Sequence, residues 1–228
     1  MSRPNSSVDI CNLSLDHLKQ TPINSITTPL TTAEYVMARW YDAERQSALR
    51  AHPWKFATKR VLLTPDPLTS PPFGFTYAYD LPVDYIRKVT IGDDYLGDLR
   101  GTHVIENGQI LTPSGSSAAF PNLAGTDPAD GTTLFLRYVC DCTNVNKMDS
   151  LFITYFSLRL ALRVSTKFAI SAALKKELKD DLKDADTEAK SVNGQDAPVR
   201  RIQQSKILTK RRGLPGGIFA TKYTVFDS

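Results

Sequence analysis

Asp80-Leu81-Pro82-Val83-Asp84 places two carboxylates four residues apart. Paired acids of this kind do general acid–base work or bind a metal, and they are the equipment of glycan cleavage. Pro82 holds the segment extended, and aspartates at turn starts serve local backbone hydrogen bonding. The same pair therefore suits structural capping, or an ion pair with Arg87. His52, directly before Pro53, has the chemistry of a general base, but the sequence places no nucleophile beside it. A positional role at a helix end, where a cation suits the dipole, is the simpler reading. Ser116 lacks a Gly-x-Ser-x-Gly context. Gly213-Leu214-Pro215-Gly216-Gly217 lacks the Gly-Lys-Ser/Thr finish of a phosphate-binding loop. Cys11, Cys140 and Cys142 are odd in number, and Cys140-Asp141-Cys142 has one intervening residue where a redox or zinc knuckle uses two. With His17, His52 and His103 scattered, the cysteines read as buried thiols in a reduced compartment. No catalytic residue, metal set or cofactor is assigned, and the chain is expected not to be an enzyme.

Charge carries the other chemical signal. The chain has a net charge of +4, yet residues 199–228 hold seven cations against Asp227 alone. The remaining 198 residues are thus slightly acidic. Within this tail Arg200, Arg201, Lys206, Lys210, Arg211 and Arg212 are interleaved with apolar residues that include Ile218, Phe219, Tyr223 and Phe226. Cations alone suit phosphate contacts. Cations spaced by apolar anchors suit an arm that orders on a partner surface. A last strand of a β domain is the third reading.

The elements that must position these residues follow from periodicity. Residues 6–20 read as a helix capped by Ser6, with Asp9 in its first turn. Residues 32–50 read as a longer helix opened by the Thr31/Glu34 capping box. Val36, Trp40, Ala43 and Ser47 mark its expected apolar stripe, and Arg45 falls elsewhere. Pro53 stops it and drives His52 to extended geometry. Trp54 and Phe56, two apart, are expected on one side of a strand. From about 55 to 145 short β-branched and aromatic runs alternate with turns, and Asn107-Gly108 signals a tight hairpin. Residues 112–129 read as a long loop. Residues 148–191 return to helix, broken near 165–171. The acids and lysines of 173–190 read as a solvated face with i,i+4 pairs.

The expected fold is α+β: a four-helix bundle (1–53 with 146–194), a small antiparallel β domain inserted between helices 2 and 3 (54–145), and an extended basic C-terminal arm (195–228). A hydrophobic content of 41% with 23% charged residues supports an ordered chain. No apolar run is long enough to span a membrane. The N-terminus lacks a secretory h-region, which implies that the protein stays in the cytosol.

Two motifs identify a relative. Arg45-x-x-x-Leu49-x-x-x-Pro53-Trp54-x-Phe56-Ala57 is followed by Gly74-Phe75-x-x-Ala78-Tyr79-x-Leu81-Pro82-x-Asp84-x-x-Arg87. In combination, spacing and position they resemble the tail tubular protein A family, head-to-tail adaptors of short-tailed bacteriophages. The likeness runs from the first helix to about residue 190. It implies a helical bundle with a β insertion. It also implies a ring of twelve copies between the portal protein and a nozzle of the tail tubular protein B type, with contacts to tail fibres. Such a ring frames the passage of double-stranded DNA without sequence-specific binding, in the neck of a virion assembled in the host cytoplasm. By position, the basic tail matches the arm that grips the portal in such proteins. Two other classes stay open: a tail-associated glycan hydrolase using Asp80 and Asp84, and a DNA-binding packaging or completion protein using the tail.

Overall fold

The structure, a computed structural model, describes residues 3–68, 71–91, 103–113 and 133–196. Residues 1–196 belong to one compact unit. The basic arm, the glycine stretch 213–217 and nearly all of the expected 112–129 loop lie outside the described residues.

Four α-helices are described: α1 (Ser7–His17), α2 (Thr32–Ala51), α3 (Ser150–Val164) and α4 (Ala172–Gln195). Side-chain caps set the starts of α1, α2 and α4. Ser6 and Asp9 form a reciprocal capping box on α1, and Thr31 and Glu34 form one on α2. Ser171 accepts from the Leu174 amide at the start of α4. The break between α3 and α4 falls at 165–171, as the sequence predicts. α3 is the central helix, packed against each of the other three. No helix among the described residues is long and apolar enough to cross a membrane.

Among the described residues six strands form two antiparallel sheets. β1 (Thr58–Leu63), β6 (Leu134–Cys140) and β3 (Tyr85–Ile91) make one, in the order β1-β6-β3. β2 (Tyr77–Asp80), β5 (Gln109–Thr112) and β4 (Val104–Glu106) make the other, in the order β2-β5-β4. The β4–β5 hairpin turns on Asn107 and Gly108, with φ of 46° and 75°, the left-handed pair that a tight hairpin requires.

Strand alternation sorts the core into two. Leu134, Leu136, Tyr138 and Cys140 of β6 point with Ile91 toward Tyr79 and Ile110 of the second sheet. Val139 of β6, with Ile86 and Val89 of β3, faces the helices and joins the larger core around Phe152, Phe156 and Leu49. The sheet β1-β6-β3 is therefore the middle layer between helices and the second sheet, and its central strand β6 is covered on both faces. This explains why β6 reads as a nearly unbroken apolar run.

Two local expectations are corrected. Lys55–Ala57 is a single 3₁₀ turn, and β1 begins only at Thr58. The chain must reverse from helix to strand within a few residues of Pro53, and a tight turn does this where a strand cannot. Trp54 and Phe56 still share a target, since both rings pack on Phe152 at centroid distances of 5.0 and 4.9 Å. On α2 the buried face is Met37, Tyr41, Glu44, Arg45, Ala48 and Leu49. Ala43 and Ser47 are exposed. Arg45 and Glu44 belong to the buried face because each has an ionic partner there, a pairing invisible to an apolar count.

Candidate functional site

Arg45 and Trp54 of the first motif and Asp84 and Arg87 of the second meet at the joint between α2 and the middle sheet. Arg45 is 5% exposed. Its Nε donates to Asp141 Oδ1 at 3.1 Å and its Nη2 to Oδ2 at 3.0 Å, a two-pronged pair. Its Nη1 reaches Asp42 Oδ1 at 2.5 Å. Gln46 Nε2 also donates to Asp141. The Asp141 amide donates to the Asp84 carbonyl at 2.7 Å. Residue 141, just past β6, thus ties α2 to the start of β3.

The C-terminus of α2 has no glycine cap. Its last carbonyls, which lack helical partners, are satisfied by side chains from beyond the helix. Trp54 Nε1 donates to the Ala48 carbonyl at 3.0 Å. Arg87 Nη1 donates to the Arg50 carbonyl at 3.2 Å and the Ala51 carbonyl at 3.4 Å. Arg50 returns the contact, its Nη1 donating to the Ile86 carbonyl at 2.7 Å. Helix end and strand each hold the other by a guanidinium. His52 caps the helix in extended geometry, φ −145° and ψ 150°. Its Nε2 sits 2.8 Å from Asn193 Nδ2, while Asn193 Oδ1 accepts from the Lys55 amide at 2.9 Å. Burial lowers the His52 pKa, assisted by Lys190 and Arg87, so the ring is held neutral and can accept from Asn193. His52 is thus a positioned cap.

The remaining motif residues are structural as well. Leu49, Trp54 and Tyr79 are buried at 0%, 1% and 0% exposure. Pro53, Phe56, Leu81, Pro82 and Asp84 are half-buried, and Arg87 is exposed. The two expected acids go separate ways. Asp80 Oδ1 accepts from Gln109 Nε2 at 2.9 Å. Asp84 accepts from Lys59 Nζ and, at 2.8 Å, from Tyr138 Oη. These two bonds lower its pKa against the opposing effect of burial. The ion-pair partner of Asp84 is therefore Lys59, not the expected Arg87, whose guanidinium is drawn to helix carbonyls.

The cysteines are all free and buried, and burial raises each thiol, Cys11 to about 12. They are not nucleophiles in this state. Among the described residues no group of three or more His, Cys, Asp or Glu side chains is placed to hold a metal ion. An open groove of about 410 Å³ beside Arg45 is lined by Ser7, Thr27, Tyr41, Asp42 and Thr143 among others.

Sequence reasoning missed Asp141, Arg50 and Asn193. Arg50 stands inside the first motif segment, three residues before the Pro53 stop, and that position is the available signal. Asp141 and Asn193 act from far along the chain, and nothing local marks them. The ten arm residues Arg200, Arg201, Lys206, Lys210, Arg211, Arg212, Ile218, Phe219, Tyr223 and Phe226 lie outside the described residues. No protein-family model matches the chain, and no curated protein matches it significantly.

Proposed function

We propose that this chain is a structural head-to-tail adaptor of a short-tailed phage virion. In this reading copies form a ring of twelve between portal and tail nozzle and frame the path of the ejected DNA. The helices act as a four-helix bundle, residues 54–145 as an inserted β domain directed to nozzle and fibres, and residues 195–228 as an arm that orders on the portal. The protein works by assembly and takes no cofactor.

One observation carries the reading. The two segments that resemble the adaptor family are separate in sequence, yet residues from both converge on a single joint. Trp54 and Arg87 complete the same helix end, and Arg45 and Asp84 are joined through residue 141. A motif that builds a rigid joint between helices and sheet suits a protein whose task is to hold two partners at fixed geometry. The hydrolase reading finds Asp80 and Asp84 engaged by separate structural partners.

The test is light scattering of the purified protein alone and mixed with the portal ring from the same genome. The expected result is a 25.3 kDa monomer that joins the portal stoichiometrically. Deleting residues 199–228 is expected to leave a folded monomer that no longer joins it. A monomer that ignores the portal removes the adaptor reading, and retained binding by the truncated chain removes the arm assignment.

A further inference from the structure

The charges of α4 are sorted by side. Glu177, Asp180, Asp181, Asp184 and Glu188 stand at offsets of three, four, seven and eleven from the first, so they share one flank of the helix. All five are exposed. Lys175, Lys179 and Lys183 follow at steps of four, and with Lys190 they occupy the other flank. Leu178, Ala189 and Asn193 form the buried ridge between. The expectation of interleaved i,i+4 pairs is met at Lys190–Asp186. Among the described residues the five acids of the first flank have no cation within ion-pair distance. Like charges four apart on a helix repel, so the arrangement works against the isolated helix.

The two flanks lie on either side of the buried ridge of α4. Asp181 acts electrostatically on His17 of α1, where Asp16 adds another exposed acid. Lys190 acts on His52 at the end of α2. Exposed cations also stand on α2 and α3. The Arg163 guanidinium, half exposed, lies 4.3 Å from the Trp40 ring centroid, and Arg39 lies 5.9 Å from it. Arg159 and Arg163 converge on Glu44 from α3. Arginine stacked on tryptophan at a partly exposed surface has the composition of an interface anchor.

We propose that these two sides are the complementary faces of a contact between copies of this chain, the Arg39–Trp40–Arg163 and lysine side of one meeting the acidic α4 flank of the next. The two faces are different and opposite in charge, as a head-to-tail contact between unlike surfaces requires. Closure of that contact into a ring rests on the adaptor reading; the pairing of the faces rests on their charge and placement. The acids lose their mutual repulsion when a neighbour's cations stand among them, and the stacked arginines are presented for use.

The experiment uses the full chain, at low ionic strength, as an equal mixture of isotope-labelled and unlabelled protein treated with a zero-length carboxylate–amine crosslinker. Mixed-isotope crosslinks joining the Glu177–Glu188 flank to Lys179 or Lys183 are expected, and they should fade as salt rises. Two neutralised variants sharpen the test: Asp180→Asn with Asp184→Asn, and Arg39→Gln with Arg163→Gln. All four side chains are exposed, so circular dichroism should be unchanged. Each variant alone should give several-fold fewer mixed crosslinks. The two variants together should couple in one direction only, through the arginine face left intact in the first and the acidic flank left intact in the second. Crosslinks absent from the wild type, or equally abundant in the variants, overturn the proposal. If the copies couple through these faces yet ignore the portal, the adaptor reading fails and the contact stands. If the portal is bound without such crosslinks, the reverse holds.

Discussion

Arg45 and Asp141 form a two-pronged ion pair across 96 residues of chain, linking the middle of α2 to the residue that follows β6. The arginine side chain is 6% exposed and the aspartate 19%. Removing one partner of such a pair leaves the other charge stranded. Arg45→Ala is expected to lower unfolding free energy by about 3 kcal/mol, read as a fall in the urea midpoint with the slope unchanged. Arg45→Lys should recover part of this, since a point charge cannot reproduce the fork. A loss within error of zero would mean that water already satisfies Asp141.

Trp54 joins packing to capping in one side chain. Trp54→Ala should cost about 4 kcal/mol, because a fully buried ring leaves a cavity among Phe56, Phe152 and Tyr155. Trp54→Phe keeps much of the ring but withdraws the donor from the Ala48 carbonyl, and about 1–3 kcal/mol should follow. Calorimetric melting of the two variants separates the contributions.

Glu34 gives the molecule an acid limit. Amides of Leu30, Thr31 and Asn24 donate to its carboxylate and hold its pKa at about 2. A carboxylate whose folded pKa is depressed stabilises the fold above its ordinary value and loses that stabilisation as pH falls through the folded value. The melting temperature should therefore drop as pH goes from about 4.5 toward about 2. Glu34→Gln should flatten that part of the profile while lowering the plateau. An unchanged slope in the variant would assign the acid transition to other groups.

His52 acts nearer neutrality, with the same sign. Its folded pKa lies below the ordinary 6.5, so its contribution is complete above that value and is lost as pH falls below it. Protonation fills the nitrogen that accepts from Asn193, and the last turn of α4 should loosen. The protection factors of the Lys55 amide and of residues 189–195, corrected for the intrinsic slowing of exchange in acid, should fall on mild acidification. His17 shifts in the same direction through burial. His52→Gln should accordingly remove part of the stability slope but all of the local exchange effect.

What could be read in advance was local. Ser6, Thr31, Pro53 and Asn107-Gly108 each decide a backbone state within a few residues, and each acts as expected. The buried face of α2 departs from the apolar stripe because Arg45 and Glu44 are buried by partners more than 90 residues away, which no periodicity reports. A spacing of two predicts Trp54 and Phe56 on a strand, while the sharp reversal at Pro53 selects a 3₁₀ turn. The sorting of charge on α4 was legible in its residue numbers. It is lost when acids and bases are counted together instead of placed around a helix.

The crossed guanidiniums of Arg50 and Arg87 also have a mechanical meaning. A force drawing the sheets away from the helices loads both arms, the Trp54 anchor and the Arg45 fork side by side, so none can part before the others share the strain. Bonds loaded in parallel fail together and at high force, whereas bonds loaded in series open one at a time. A body joined in this way passes a pull or a twist from one end to the other with little internal give.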